Sequence, residues 1–549
     1  MCKYNLLLFF LTSSFSLLAQ TEKTEQGITI TSLNKKTTVY TAESGALQVN
    51  VSPKDLQKFK AIGAVRYSDF GAKGDGKKDD IDAIAATHAF ANQYKLSVKA
   101  DDGATYYVGG KERTVVIKTD TDFGRANFLI DDTEVENRSA SIFEVRSSQA
   151  SYRPGGITTL TKNQRKLDVT LPVASLITVT NSEVKHYIRY GPNQNKGSDQ
   201  TDIFIADENG HIDMKAPVIW DFEKITDIMA LPIDKDTLYI TGGRFTTIAN
   251  HAPSKYTYYA RNILIRRSHV IVDGINHFVK GEGVHGAPYS GFISISNCAY
   301  VTVKNAVLTG HKTYRTIGSA GVSVGMGSYD ITVNRSLNVS FLNCSQTNDI
   351  NDNVYWGILG SNYSKNLLYD GCTFSRFDAH KGVANATIRN STLGYMGINA
   401  IGSGTFTVEN CKLYGRSLIN LRDDYGSTWQ GEFIIRNCTF TPLAGKSISA
   451  VLFNGSYSGM HDFGYTCYMP ERITIENLKI DDSHHPKDYK GMAIFANFNP
   501  QRKDSSYTET FPYVITKEVI LRNVTTTSGM PLRISDNNYM FSNVKVTGL

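Results

Sequence analysis

Three short segments carry side chains suited to acid–base chemistry: SRFDAHKGV from Ser375, GYMGINAIG from Gly394 and SLINLRDDYGSTW from Ser417. In an extended strand successive side chains alternate between faces, so Phe377, Ala379, Ile398, Ala400, Ile419 and Leu421 are expected to point into a core. The opposite face then presents Asp378, His380, Asn399, Asn420 and Arg422. Stacked in register, these groups line successive rungs about 4.8 Å apart. VYWGILG, from Val354, adds Tyr355 or Trp356 on the rung before, and GHKTYRTIGSAGVSVG supplies His311, Lys312, Tyr314 and Arg315 in a loop.

Such a set is what β-elimination of a uronic acid residue requires. The carboxylate must be neutralised so that the C5 proton becomes acidic, a base must remove that proton, and an acid must protonate the leaving O4. Arg422 or Asn399 is the candidate for neutralisation, and Tyr355 or Tyr314 for the acid. His380 is the candidate base, because an unperturbed pKa of about 6.5 lets it work at neutral pH. Lys381, Trp356, Asn420, Lys312, Tyr314 and Arg315 are candidate substrate-binding residues. The blander readings are a surface His380 bonded to Asp378, and Arg422 in a structural salt bridge with Asp423 or Asp424.

The elements that must position these groups repeat along the chain. ISISNCAYVTV ends at Val303, and VSFLNCSQ, LLYDGCTF, ATIRNSTL, FTVENCKL and FIIRNCTF begin at Val339, Leu367, Ala386, Phe406 and Phe433. Looser copies begin at Ile473, Val519 and Phe541. The turn residue recurs at 343, 371, 390, 410, 437, 477, 523 and 543, the rhythm of single coils with loop insertions or of unmarked coils. No coil can bury its own apolar face, so coils must stack into a solenoid. Cys298, Cys344, Cys372, Cys411 and Cys438 sit at the turn and are expected as a column of free thiols; no CxxC pair suggests metal.

At the other end, VRYSDFGAKGDGKKDDIDAIAATHAFANQ, from Val65 to Gln93, holds a strand, a glycine turn and a helix. Asp79 and Asp80 are expected to cap the first turn, and Ile81, Ile84, Ala85, His88 and Ala91 share one face that can close a solenoid. The glycines are not a phosphate loop, since no GK[ST] follows. This segment resembles the N-terminal signature of the pectate-lyase superfamily, which includes polygalacturonases, pectate lyases, other polysaccharide lyases and phage tailspikes. The resemblance implies an all-β fold, a right-handed parallel β-helix with a capping helix. The C-terminal half, with its HKG and RDDYGSTW segments, resembles secreted lyases of glycosaminoglycans such as chondroitin sulfate or hyaluronan; pectate-like uronides stay open.

The same superfamily offers a second chemistry, inverting hydrolysis, which needs two carboxyl groups about 6.5–9.5 Å apart. Asp349, Asp352, Asp423 and Asp424 could supply them. The polygalacturonase order of NTD, DD, GHG and RIK is not met, because the DD of RDDYGSTW follows HKG and RIK is missing. Noncatalytic glycan binding is a third reading. NDINDN, from Asn348, offers oxygens at close spacing that could bind calcium, without the twelve-residue loop of an EF-hand.

Met1 to Gln20 reads as a signal peptide, placing the mature chain in a periplasm or outside the cell. Residues 55–136 then form the cap and first coils, 137–215 an inserted β-rich subdomain, and 216–549 the coils that carry the site. The 549 residues carry a formal charge of +6, a modest excess that favours an anionic polysaccharide. Neither nucleic acid nor membrane is expected as a partner, and the protein is expected to be a monomer.

Overall fold

The computed structural model describes residues 28–32, 35–41, 47–49, 51–443 and 450–549. The signal peptide read from the sequence lies outside the described residues.

Helix α1 (Pro53–Ile62) opens on Ser52, whose hydroxyl accepts the Asp55 N–H at 3.1 Å, and ends on Gly63 at φ 73°. Helix α2 (Ile81–Tyr94) buries Ile81, Ile84, Ala85, His88 and Ala91 against the first coils. Capping is divided between the two aspartates. Asp79 accepts the Ile81 N–H at 3.0 Å, whereas Asp80 turns back to accept the N–H groups of Lys73 and Gly74 at 2.7 and 3.0 Å. The glycine turn is thus tied to the helix start. Burial lowers the His88 pKa to about 3, and its Nε2 pairs with the Tyr67 hydroxyl at 2.9 Å, so this histidine belongs to the cap's core.

Twenty-nine of the described strands, those of the cap among them, join in one ladder whose pairings are all parallel, a right-handed parallel β-helix. The turn residues fall in register as the sequence implies. Leu342 pairs with Asp370, Asp370 with Arg389, Arg389 with Glu409, Glu409 with Arg436, Arg436 with Glu476, and Glu476 with Arg522. Each interval is therefore one coil, and the longer ones hold loops. The last copy is an exception. Val546 pairs with Val519, so the Phe541 segment lies out of register with the turn column.

Turn chemistry explains the repeat. Asn343, Asn390, Asn410, Asn437, Asn477 and Asn523 all hold φ between 50° and 54°, and Gly371 holds φ 68°. Asparagine and glycine tolerate this left-handed conformation best. The asparagine amides also bond from rung to rung, Asn410 donating to Asn390 at 3.3 Å and Asn437 to Asn410 at 3.2 Å. The cysteines lie just inside, buried and unpaired. Their thiols donate to carbonyls of the preceding coil, Cys372 to Phe341 at 3.2 Å and Cys411 to Ile388 at 3.6 Å.

Two results should follow. In the native protein these five thiols should resist an alkylating reagent that labels them completely in denaturant; mass spectra showing them cross-linked or labelled in the fold would contradict the column. Gly371→Ala should cost about 1–2 kcal/mol for the left-handed backbone. The added Cβ would also lie 2.4 Å from Asn343 Oδ1, so denaturant melts should show a loss at or above that range.

The inserted subdomain is a three-stranded antiparallel sheet of Ser175–His186, Ser198–Ala206 and Asp227–Pro232 over its own apolar core. It runs past the boundary at 215 to Pro232. The reason is that Asp227–Pro232 pairs with Ser175–Thr180 and buries Ala230 in the subdomain core, and the coils resume only at Leu238. A buried ion pair, Lys365 Nζ to Asp202 at 2.7 Å, pins the subdomain to the solenoid.

Candidate functional site

The three segments stack in the register expected: Phe377 pairs with Ile398 and Ile398 with Ile419; Asp378 with Asn399 and Asn399 with Asn420. Phe377, Ala379, Ile398, Ala400, Ile419 and Leu421 fill the core. The opposite face is not an open surface, however. Asp378 is fully buried beside Arg376 and Arg422, and Asn399 is 7 % exposed.

A wide bulge breaks the ladder at the centre. Between the Ala379–Ala400 and Val383–Gly402 pairs, His380, Lys381 and Gly382 stand opposite Ile401 alone. Bulges re-aim side chains, and this one brings His380 and Lys381, which simple alternation would separate, to the same ring of Tyr425. The His380 ring packs edge-on at 5.5 Å and Lys381 Nζ lies 5.7 Å from the centroid. Gly382 holds φ 62°, and a Cβ there would lie 2.7 Å from the Tyr187 hydroxyl.

His380 donates from Nδ1 to Asn362 Oδ1 at 2.8 Å, and Asn362 in turn donates to Asn334. Asn362, not Asp378, is its partner. With the proton on Nδ1, Nε2 is the lone-pair nitrogen, and no described protein group bonds to it. Burial holds the His380 pKa well below 6.5, with further lowering by Arg422, Lys381, Arg189 and Arg376. Burial likewise lowers the Lys381 pKa to about 8, and its Nζ donates to Ser198 Oγ of the inserted subdomain at 3.0 Å.

Around this pair runs a chain of alternating charge. Arg376 Nη2 donates to Asp378 Oδ2 at 2.7 Å, and Arg422 Nη1 lies 3.5 Å from the same oxygen. Arg422 grips Asp424 with Nε at 3.2 Å and Nη2 at 2.7 Å, and Arg189 reaches Asp424 at 2.7 Å. The salt-bridge reading of Arg422 thus describes its resting contacts. Arg189, Arg376, Lys381 and Arg422 face two carboxylates in this cluster, leaving positive charge uncompensated.

The remaining candidates divide. Trp356 joins the cluster, with the Arg376 guanidinium 5.2 Å over its ring; a side chain at Gly357 would collide with Arg376. Asn399 and Asn420 form an outward amide ladder, Asn420 donating to Asn399 at 2.7 Å. Lys312, Tyr314 and Arg315 bond elsewhere: Lys312 Nζ and the Tyr314 hydroxyl to the Gly283 carbonyl at 2.8 and 3.4 Å, Arg315 to Ser323 at 3.0 Å. Tyr314 is buried, which raises its pKa to about 12. Tyr355 pairs backbone to backbone with Lys312, and no hydrogen bond or ring contact joins it to His380 among the described residues. His311 is buried between Glu282 and Asp330 as part of the loop's foundation. In NDINDN, Asp349 and Asp352 accept N–H groups of their own turns, from Asn351 and Val354. No group of three or more His, Cys, Asp or Glu among the described residues could hold a metal ion.

Arg189, Arg376 and Tyr425 were not singled out from the sequence. Arg189 comes from the inserted subdomain, some two hundred residues upstream, and nothing local marks it. Arg376 had a signal: a cation two residues before Asp378 on a strand shares its face.

No protein-family model matches the chain, and no curated protein matches it. Among solved structures it is similar to the tailspike gp61 of Pseudomonas phage phi297, with 14% identity, a TM-score of 0.51, and coverage of 88% of this chain and 84% of that one. It is similar also to the tailspike protein gp49 of Pseudomonas phage LKA1, with 12% identity, a TM-score of 0.50, and the same coverage of the two chains, 88% and 84%. At such identities the likeness is one of fold.

Proposed function

We propose that this protein cleaves a uronic-acid-containing polysaccharide by β-elimination at the His380 bulge, with glycosaminoglycans such as chondroitin sulfate or hyaluronan favoured over pectate-like uronides. The observation that carries the reading is a neutral histidine, its Nδ1 proton fixed by Asn362, among four cations that outnumber their carboxylate partners. Positive charge of this kind receives a carboxylate and stabilises the further negative charge that builds on it as C5 loses its proton.

In the reaction, His380 Nε2 takes the C5 proton. The C5–H electron pair becomes the C4–C5 double bond, the C4–O4 bond breaks with its pair on oxygen, and O4 takes a proton. Lys381, beside His380 and with a pKa of about 8, is the donor that fits, in place of Tyr314 or Tyr355. No water is consumed, and exchange with solvent restores both groups. Inverting hydrolysis fits the site less well. Of the four aspartates that could supply it, Asp349 and Asp352 close their own turns and Asp424 is gripped by two guanidinium groups, which leaves Asp423 without a second free carboxylate among them.

A panel of hyaluronan, chondroitin sulfates and polygalacturonate, followed by the ultraviolet absorbance of the unsaturated uronate, tests the reading. New reducing ends without that absorbance would refute it. The acid role has its own signature: a donor must be protonated, so kcat/KM should fall as pH rises through about 8. Lys381→Ala should be slow and lack that alkaline limb; a limb that persists unchanged would remove Lys381 from the role.

A further inference from the structure

A groove beside the His380 cluster is unused by the proposed chemistry. It has a volume of about 370 Å3 and is lined by Tyr395, Asn399, Arg416, Asn420 and Asn454 among others. Asn420 also lines the adjoining depression that contains Arg189 and Arg422, so it borders both.

Two features set its chemistry. The first is the amide ladder, Asn454 donating to Asn420 at 3.0 Å and Asn420 to Asn399 at 2.7 Å. An amide has two N–H donors and two acceptor lone pairs; the ladder uses one N–H of Asn454 and one of Asn420, and Asn399 donates one to the Met396 carbonyl at 2.9 Å, so capacity remains for sugar hydroxyls. The second is Arg416. Unlike Arg189, Arg376 and Arg422, it has no acidic partner among the described residues, yet it is held in place. Its guanidinium lies 5.3 Å over the Tyr395 ring and donates one N–H to the Tyr395 hydroxyl. The remaining N–H donors of a fixed, exposed guanidinium suit a bidentate oxyanion.

Resting on the function proposed above, we infer that this groove is a second sugar subsite, in which Arg416 takes the carboxylate or sulfate of a residue beyond the disaccharide that contains the reacting one. The site then reads at least two sugars, and a chain is held by anionic groups on both.

The test uses the full-length His380→Ala protein, so that substrate is bound without turnover, and calorimetric titration with hyaluronan, chondroitin sulfate and galacturonate oligosaccharides as disaccharides and hexasaccharides. Arg416→Ala in that background should weaken hexasaccharide binding about tenfold or more, the effect of losing a charge-assisted contact, with little change for disaccharides. Arg416→Lys should recover only part, because the fork is lost. Loss confined to chondroitin sulfate assigns a sulfate; loss for unsulfated chains too assigns a carboxylate. Unchanged hexasaccharide affinity, or an equal loss for disaccharides, overturns the second subsite alone. Failure of His380→Ala to bind any of the three chains overturns the proposed function, and the subsite with it.

Discussion

His380→Ala is expected to lower kcat by about two to four orders of magnitude while leaving polysaccharide affinity close to that of the parent. A base acts on the transition state more than on the bound ground state, and the cations that hold substrate are untouched by the change. The pH profile should be distinctive. Burial, with Arg422, Lys381, Arg189 and Arg376, holds the His380 pKa well below 6.5, so the neutral, base-competent form persists into acid. The acid limb of kcat/KM should therefore lie below the ordinary histidine range. The sign for stability follows as well. Below pH 6.5 the unfolded state binds more protons at this residue than the folded state, so acid destabilises the fold. An acid limb near 6.5, or near-normal turnover by a folded His380→Ala, would remove His380 from the role.

Arg422→Ala should be the second most damaging change, and of a different kind. Arg422 bridges Asp424 and Asp378, and Asp378 is buried. Losing a charge-assisted contact there should cost about 1.5–3 kcal/mol of stability, seen in denaturant melts. KM should rise and kcat should fall, because the substrate carboxylate is charged before reaction and gains more charge during it. Arg422→Lys keeps the charge but not the two-pronged grip on Asp424, and should recover affinity better than stability. A variant with unchanged KM would mean that substrate never meets this cation.

The scaffold of the site was legible because it obeys short-range rules. Alternation in FDAH, INAI and LINL sets which side chains are inward, and asparagine or glycine at each left-handed turn marks the coil, so stacking on those turns yields the register of Asp378, Asn399 and Asn420. What closes the site was not legible. Arg189, Tyr187 and Ser198 arrive from a subdomain whose docking depends on tertiary contacts such as Lys365 with Asp202. Strict alternation also cannot foresee a bulge. Gly382 in HKG was the one residue that could have signalled it, since a positive φ in mid-strand is a glycine's place. That bulge turns Lys381 from a neighbour facing away into one that shares Tyr425 with His380.

Elimination and hydrolysis differ most directly in the fate of water. Digesting hyaluronan, chondroitin sulfate and polygalacturonate in heavy-oxygen-labelled water, with mass analysis of products quenched before exchange, reads that difference bond by bond. Elimination at His380 predicts unsaturated products whose masses add up to the parent chain, with no label at the cleaved bond and none of these products from His380→Ala. Saturated products, with one labelled oxygen gained per bond cleaved and carried by the new reducing end, would contradict it.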